Sequence, residues 1–206
     1  APYSTMYDPN FLHLLPGYTD QPLPFDSNFG SSPIHPDKID EKDIRAMMAS
    51  YYGMISEIDN GIGTILQKLK AKGLYDNTMI VFTSDHGDYM SYHHMMLKGR
   101  HLYDPLIKIP LIVKYPGQTD SFLSENIDVA PTVLELCGQP IPPTMQGRSL
   151  LGNDHRQFVF SEAQFGSQTN SKIGYMLRSD SYKLLVYGSM QDCAFYDLKK
   201  DPFELH

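Results

Sequence analysis

Met79-Ile80-Val81-Phe82-Thr83-Ser84-Asp85-His86-Gly87-Asp88 is the stretch whose reading decides the fold. Its apolar start reads as a buried strand, and the polar cluster falls at the strand's carboxyl end. Open α/β sheets place their ligands there. Asp85 offers hard oxygen donors, His86 a neutral imidazole, and Gly87 a backbone free to turn sharply. Lys98 follows in the same polar segment as a cation on a long stem. Metal-type donors and a lysine gathered at a strand end suit an anionic tetrahedral group such as sulfate or phosphate.

Outward from this stretch the chain keeps an α/β rhythm. Asp37 or Asp40 can cap a helix, with Glu41 and Asp43 in its first turn. Met47, Met48, Tyr51, Ile55, Ile58, Ile62, Ile65, Leu66 and Leu69 then recur at helical steps, so one long amphipathic helix faces a core and stops at Gly73. Gly53, Gly61 and Gly63 inside it suggest close packing on a sheet. A strand at 78–84 and a polar loop at 85–105 come next. A second strand, Ile109-Pro110-Leu111-Ile112-Val113-Lys114-Tyr115, ends at Pro116-Gly117. A short helix near 127–137 has Asp128 as its candidate cap and Pro131 in its first turn. Short β-like runs at 157–161, 174–178, 182–187 and 194–198 follow, with turns at Ser179-Asp180 and Gly188-Ser189.

The fold class expected is therefore α/β: part of a mixed or mostly parallel sheet sandwiched by helices, with a small C-terminal antiparallel sheet. Three divisions are expected. Residues 1–36, interrupted by Pro9, Pro16, Pro22, Pro24, Pro33 and Pro36, form an irregular arm. Residues 37–138 form the α/β core, and 139–206 the antiparallel subdomain after the stiff Gln139-Pro140-Ile141-Pro142-Pro143 linker.

Composition narrows the function. The 206 residues carry a net charge of −7 with no basic block, which argues against nucleic acid as a partner. An acidic protein that handles an anion needs local cations or a metal to offset its own field. No apolar run reaches the length of a membrane span. Cys137 and Cys193 lack C-x-x-C spacing and read as two buried thiols. His93, His94 and His101 crowd the loop of Lys98 and Arg100, yet each taken singly reads as an ordinary polar loop residue. A zinc hydrolase built on these histidines lacks the H-E-x-x-H helix motif. A Ser84, Asp85, His86 triad fails because adjacent residues on an extended chain point to opposite faces.

Several motifs together resemble the sulfatase family of the alkaline-phosphatase-like superfamily, which also holds phosphonate monoester hydrolases. They are Tyr52-Gly53-Met54-Ile55-Ser56-Glu57-Ile58-Asp59, the Val81–Asp88 stretch, Lys98-Gly99, Tyr103-Asp104 and Ile109-Pro110-Leu111-Ile112-Val113. Asp128-Val129-Ala130-Pro131-Thr132 and Tyr196-Asp197-Leu198-Lys199-Lys200-Asp201-Pro202 complete the order. The resemblance implies that Asp85 and His86 are ligands of a divalent cation, usually calcium, with manganese or zinc open because imidazole is a softer ligand. It implies that Lys98 binds sulfate oxygens and steadies charge on the leaving oxygen, as the catalytic cation, and that His94 joins the substrate pocket. The substrate implied is a sulfated small molecule or glycan.

The resemblance also has a gap. Sulfatases carry an early C-x-P-S-R-like motif whose Cys (or Ser) becomes the formylglycine nucleophile. Neither Cys137-Gly138-Gln139-Pro140 nor Cys193-Ala194-Phe195-Tyr196 fits it. The expectation is thus the C-terminal portion of a sulfatase, inactive alone, whose partner is a missing N-terminal half with the formylglycine and further acidic ligands. A phosphonate or phosphate ester hydrolase on the same scaffold remains an alternative, as does a non-catalytic relic that binds anions or protein. The arm 1–36 and the segment 162–172 are the expected seats of specificity.

Overall fold

The computed structural model describes residues 2–27, 39–115, 121–152, 155–167 and 170–206. The arm opens with two 3-10 turns, Pro2–Thr5 and Pro9–Phe11, the second capped by Asp8. A short α1 (Pro24–Ser27) closes its described part. Residues 28–36 of the expected arm lie outside the described residues.

The long helix is α2 (Glu41–Ala71), 31 residues. Asp40 caps it in a reciprocal box: Asp43 N donates to Asp40 Oδ1 at 2.9 Å and Asp40 N to Asp43 Oδ2 at 3.2 Å. Gly73, at φ +66°, ends it in the left-handed conformation glycine tolerates. Its first half is covered by the arm, and Ile44 and Met48 are buried there. A Cβ on Gly53 would meet the Tyr3 carbonyl oxygen at 2.2 Å, so its close neighbour is the arm and not a sheet. Among the described residues nothing lies within 4 Å of a Cβ on Gly61 or Gly63, so no described sheet packs on them. From Met54 onward the apolar stripe, Met54, Ile55, Ile58 and Ile65, faces solvent.

Strand β1 (Ile80–Thr83) is shorter than the expected 78–84 and pairs antiparallel with β2 (Leu111–Lys114), Thr83 opposite Leu111. β1 is not a buried strand: Ile80 and Val81 are half-buried, Phe82 and Thr83 exposed. The connection between the two strands carries the polar cluster and the short α3 (Asp104–Ile107). A 3-10 turn at Asn126–Asp128 leads into α4 (Val129–Leu136). Asp128 stands at the start of α4 but its side chain does not cap it. The buried carboxylate instead accepts from Glu125 N at 2.9 Å, Arg148 N at 2.7 Å and the Arg156 guanidinium.

The C-terminal part is an antiparallel meander in the order β3-β4-β5-β6 (Val159–Ser167, Asn170–Arg178, Tyr182–Tyr187, Ser189–Asp197). Of the segment 162–172, residues 162–167 lie in β3 and 170–172 in β4, with Ser167 paired to Asn170; residues 168 and 169 lie outside the described residues. Alternation sends Met176, Leu185 and Tyr187 into a core with Tyr89, Met95, Leu102 and Tyr103. The opposite face carries one row across all four strands, Phe160, Leu177, Leu184 and Phe195. Phe160, Leu177 and Phe195 in that row are exposed. Cys193 and Cys137 are exposed free thiols, not buried ones.

The core also holds charge. Lys183 and Glu204 are fully buried and paired at 2.5 Å, and Lys183 Nζ also meets Asp104 Oδ1 at 2.9 Å. Asp26 from α1 is fully buried too. It accepts from the Tyr103 hydroxyl at 2.6 Å and faces His93 Nδ1 at 3.3 Å and His101 Nδ1 at 3.6 Å. His93, His94 and His101 are therefore interior residues rather than polar loop residues.

Candidate functional site

The site grows from the end of β1. Asn126 reaches back to it: its Nδ2 donates to Ser84 O at 3.0 Å, and its Oδ1 accepts from Thr83 Oγ1 at 3.0 Å. Ser84 Oγ donates to His86 O at 2.8 Å. Gly87 is required by close approach: a Cβ there would lie 2.0 Å from Pro105 O, and Gly87 N donates to Leu106 O at 2.7 Å.

Between these anchors stand Asp85 and His86. The Asp85 side chain is 85% exposed. Its Oδ1 accepts from His86 N at 2.8 Å, and its Oδ2 lies 3.6 Å from His86 Nε2. The His86 backbone N–H, and then the nearby imidazole, hold the Asp85 carboxyl below its usual value. His86 Nδ1 lies 2.8 Å from Gly87 O. A carbonyl only accepts, so Nδ1 carries the proton and Nε2 presents its lone pair. Lys98 Nζ sits 3.3 Å from that Nε2.

Lys98 is delivered by an unusual loop. Met90, Ser91, His93, His94 and Leu97 all have positive φ, between 43° and 76°. Such a run of non-glycine left-handed residues is costly and marks a constrained segment. Tight bonds hold it, among them Tyr89 N to Leu97 O at 2.9 Å and Ser91 N to Met95 O at 2.8 Å.

Asp85, His86 and Lys98 open together into a groove of about 420 Å³, walled by Leu102, Ile109, Val159 and Met176. His94 is not among the residues that line it. Its ring is turned inward, with Nδ1 2.9 Å from Thr19 O. Asn126 does line the groove, and no local pattern in the sequence marks it. Its partners lie 42 and 43 residues earlier, so only the fold brings them together.

The donors at Asp85 and His86 suit a divalent cation in kind: an accessible carboxylate oxygen and an imidazole lone pair fixed by a backbone bond. They do not complete a shell. Among the described residues no group of three His, Cys, Asp or Glu side chains could hold a metal ion. Four or more ligands are the usual requirement.

Comparison with known proteins matches the Sulfatase family model over residues 5–139. The model for the C-terminal part of N-sulphoglucosamine sulphohydrolase matches residues 92–206. A multifunctional alkaline phosphatase superfamily protein, PehA of Trinickia caryophylli, is 34% identical over 191 residues, covering 81% of this chain and 37% of that protein. An N-acetylglucosamine-6-O-sulfatase of Bacteroides thetaiotaomicron is 32% identical over 175 residues, covering 77% of this chain and 31% of its own length. Among solved structures, the phosphonate monoester hydrolase SpPMH from Silicibacter pomeroyi superposes with a TM-score of 0.82 at 29% identity, over 97% of this chain and 46% of that one. The chain thus spans about a third of these curated relatives and under half of that structure. By its family match and its relatives, the chain belongs to the sulfatase family of the alkaline-phosphatase-like superfamily.

Proposed function

We propose that this chain supplies the cation- and anion-holding side of a sulfuric ester hydrolase. The observation that carries the reading is the convergence of Asp85, His86 and Lys98 on one groove, with Lys98 Nζ 3.3 Å from His86 Nε2. Asp85 and His86 form part of the shell of a divalent cation, calcium by the hardness of a carboxylate, with manganese or zinc suited to the imidazole. Such a cation, when bound, polarises the ester oxygens. The Nδ1–H bond to Gly87 keeps the His86 ring in its ligating orientation. Lys98 binds the sulfate oxygens and meets the charge that grows on the leaving oxygen. His94, buried against Thr19, has no place in this arrangement.

The nucleophile comes from outside these residues. Neither cysteine stands in a C-x-P-S-R-like setting, so formylglycine belongs to an N-terminal half that partners the core 37–138 and the sheet 139–206. The chain alone is then inactive. The substrate is a sulfated small molecule or glycan, a reading supported by the N-acetylglucosamine-6-O-sulfatase relative. A second reading, phosphonate monoester hydrolysis, is favoured by the likeness to SpPMH.

Parallel assays of the complete protein on an aryl sulfate, a sulfated glucosamine and a phosphonate monoester test the choice. Faster turnover of either sulfate ester is expected; the reverse order selects the phosphonate reading. Retention of both metal and activity in Asp85→Ala would reject the site itself.

A further inference from the structure

We infer that Asn126 is a positioning residue for the Asp85–His86 pair, an inference that rests on the metal-site reading above. Its amide spans the last strand residue and the first loop residue before Asp85, with one bond to Thr83 Oγ1 and one to Ser84 O. The Ser84 carbonyl only accepts, so the NH2 must face it and the amide has one orientation. That bond fixes the plane of the Ser84–Asp85 peptide, and with it the direction in which the Asp85 side chain leaves the backbone. Ser84 Oγ carries the constraint on to His86 O.

The other end of the brace is firm. Asn126 opens the 3-10 turn that the buried Asp128 carboxylate holds through Glu125 N and the Arg156 guanidinium. Arg156 also meets Glu125 Oε2 at 3.1 Å. A buried ion pair thus reaches the Asp85 loop through a single exposed amide. Because Asn126 itself is exposed, its removal costs the fold little and the loop much.

The test uses the complete protein, Mn²⁺ as probe, and ¹⁵N order parameters at the Asp85 and His86 amides. Asn126→Ala, and the isosteric Asn126→Asp that turns an oxygen toward Ser84 O, should weaken Mn²⁺ binding about 10- to 100-fold. Order parameters at Asp85 and His86 should fall from about 0.85 toward 0.6, with Val81 unchanged and Tm nearly so. Thr83→Val, which removes one of the two bonds, should show a smaller effect of the same kind. Parental Mn²⁺ affinity and order parameters in both Asn126 variants would overturn the inference. So would unfolding of both, which makes Asn126 a structural brace only. If the order parameters fall while the parent and Asp85→Ala bind Mn²⁺ equally, positioning stands and the metal reading fails.

Discussion

The ammonium of Lys98 lies 3.3 Å from Nε2 of His86, so the imidazole nitrogen that faces the groove is already engaged by a donor. A divalent cation held by Asp85 and His86, as proposed above, would compete with Lys98 for that lone pair and would repel the ammonium by like charge.

Lys98→Ala should therefore bind Mn²⁺ at least as tightly as the parent, since a competitor and a like charge are both removed. Turnover by the complete protein should fall about 100- to 1000-fold, the usual cost of losing one oxyanion donor. Metal titration and kcat measured on the same preparation check both halves. Parental kcat would remove Lys98 from the anion site.

Ser91→Gly should stabilise the chain. Ser91 is fully buried at φ +76°, and its Oγ has no hydrogen-bond partner among the described residues. Glycine removes both the left-handed strain and the unpaired hydroxyl, while adding entropy to the unfolded chain. A net gain of about 1 kcal/mol follows, read as a higher urea midpoint at unchanged m. A loss of stability would show that the φ value carries no strain.

Gly87→Ala should do the reverse. The new Cβ would sit 2.0 Å from the Pro105 carbonyl oxygen, a backbone atom with no flexible end to yield. Overpacking of this kind costs about 1–3 kcal/mol and pushes the His86 turn off α3. Urea unfolding gives the first effect, and altered shifts at His86 and Leu106 the second.

The buried charges give an acid limb. Burial alone would raise the Asp104 carboxyl, but the Lys183 ammonium and the Arg178 guanidinium together hold it below 3.8. Its contribution is present above the unfolded value and lost as pH falls through the folded one. Glu204 runs the other way: burial pushes it above 4.5 against the pull of Lys183. Its contribution is full below 4.5 and fades as pH rises toward its folded value. Asp104→Asn should thus be less stable at pH 7 yet lose less on going from pH 5 to pH 3. Urea midpoints across that range check it; an equal loss in parent and variant would contradict the pairing.

Much of this was written in local signals. The cap at Asp40 and the stop at Gly73 bound α2 because capping and helix termination are decided within a few residues. The four C-terminal strands follow from alternation and turns in the same way. Asp85, His86 and Lys98 were legible as a polar cluster, and the fold brings them to one groove. The three loop histidines were not, because His93 and His101 meet Asp26 and His94 meets the Thr19 carbonyl, all 67 or more residues earlier, which composition cannot pair with them. The Asp128 carboxylate looked like a helix cap because no sequence rule foresees Arg156 arriving 28 residues later. Asn126 was silent for the same reason.

The open row on the outer face of the meander, from Phe160 through Leu177 to Phe195, has a colloidal consequence. At neutral pH the charge of −7 keeps copies of the chain apart in solution. Near pH 5.5 that repulsion vanishes while the greasy stripe does not. Solubility should reach its minimum there, and light scattering should rise steeply with concentration as acid is added.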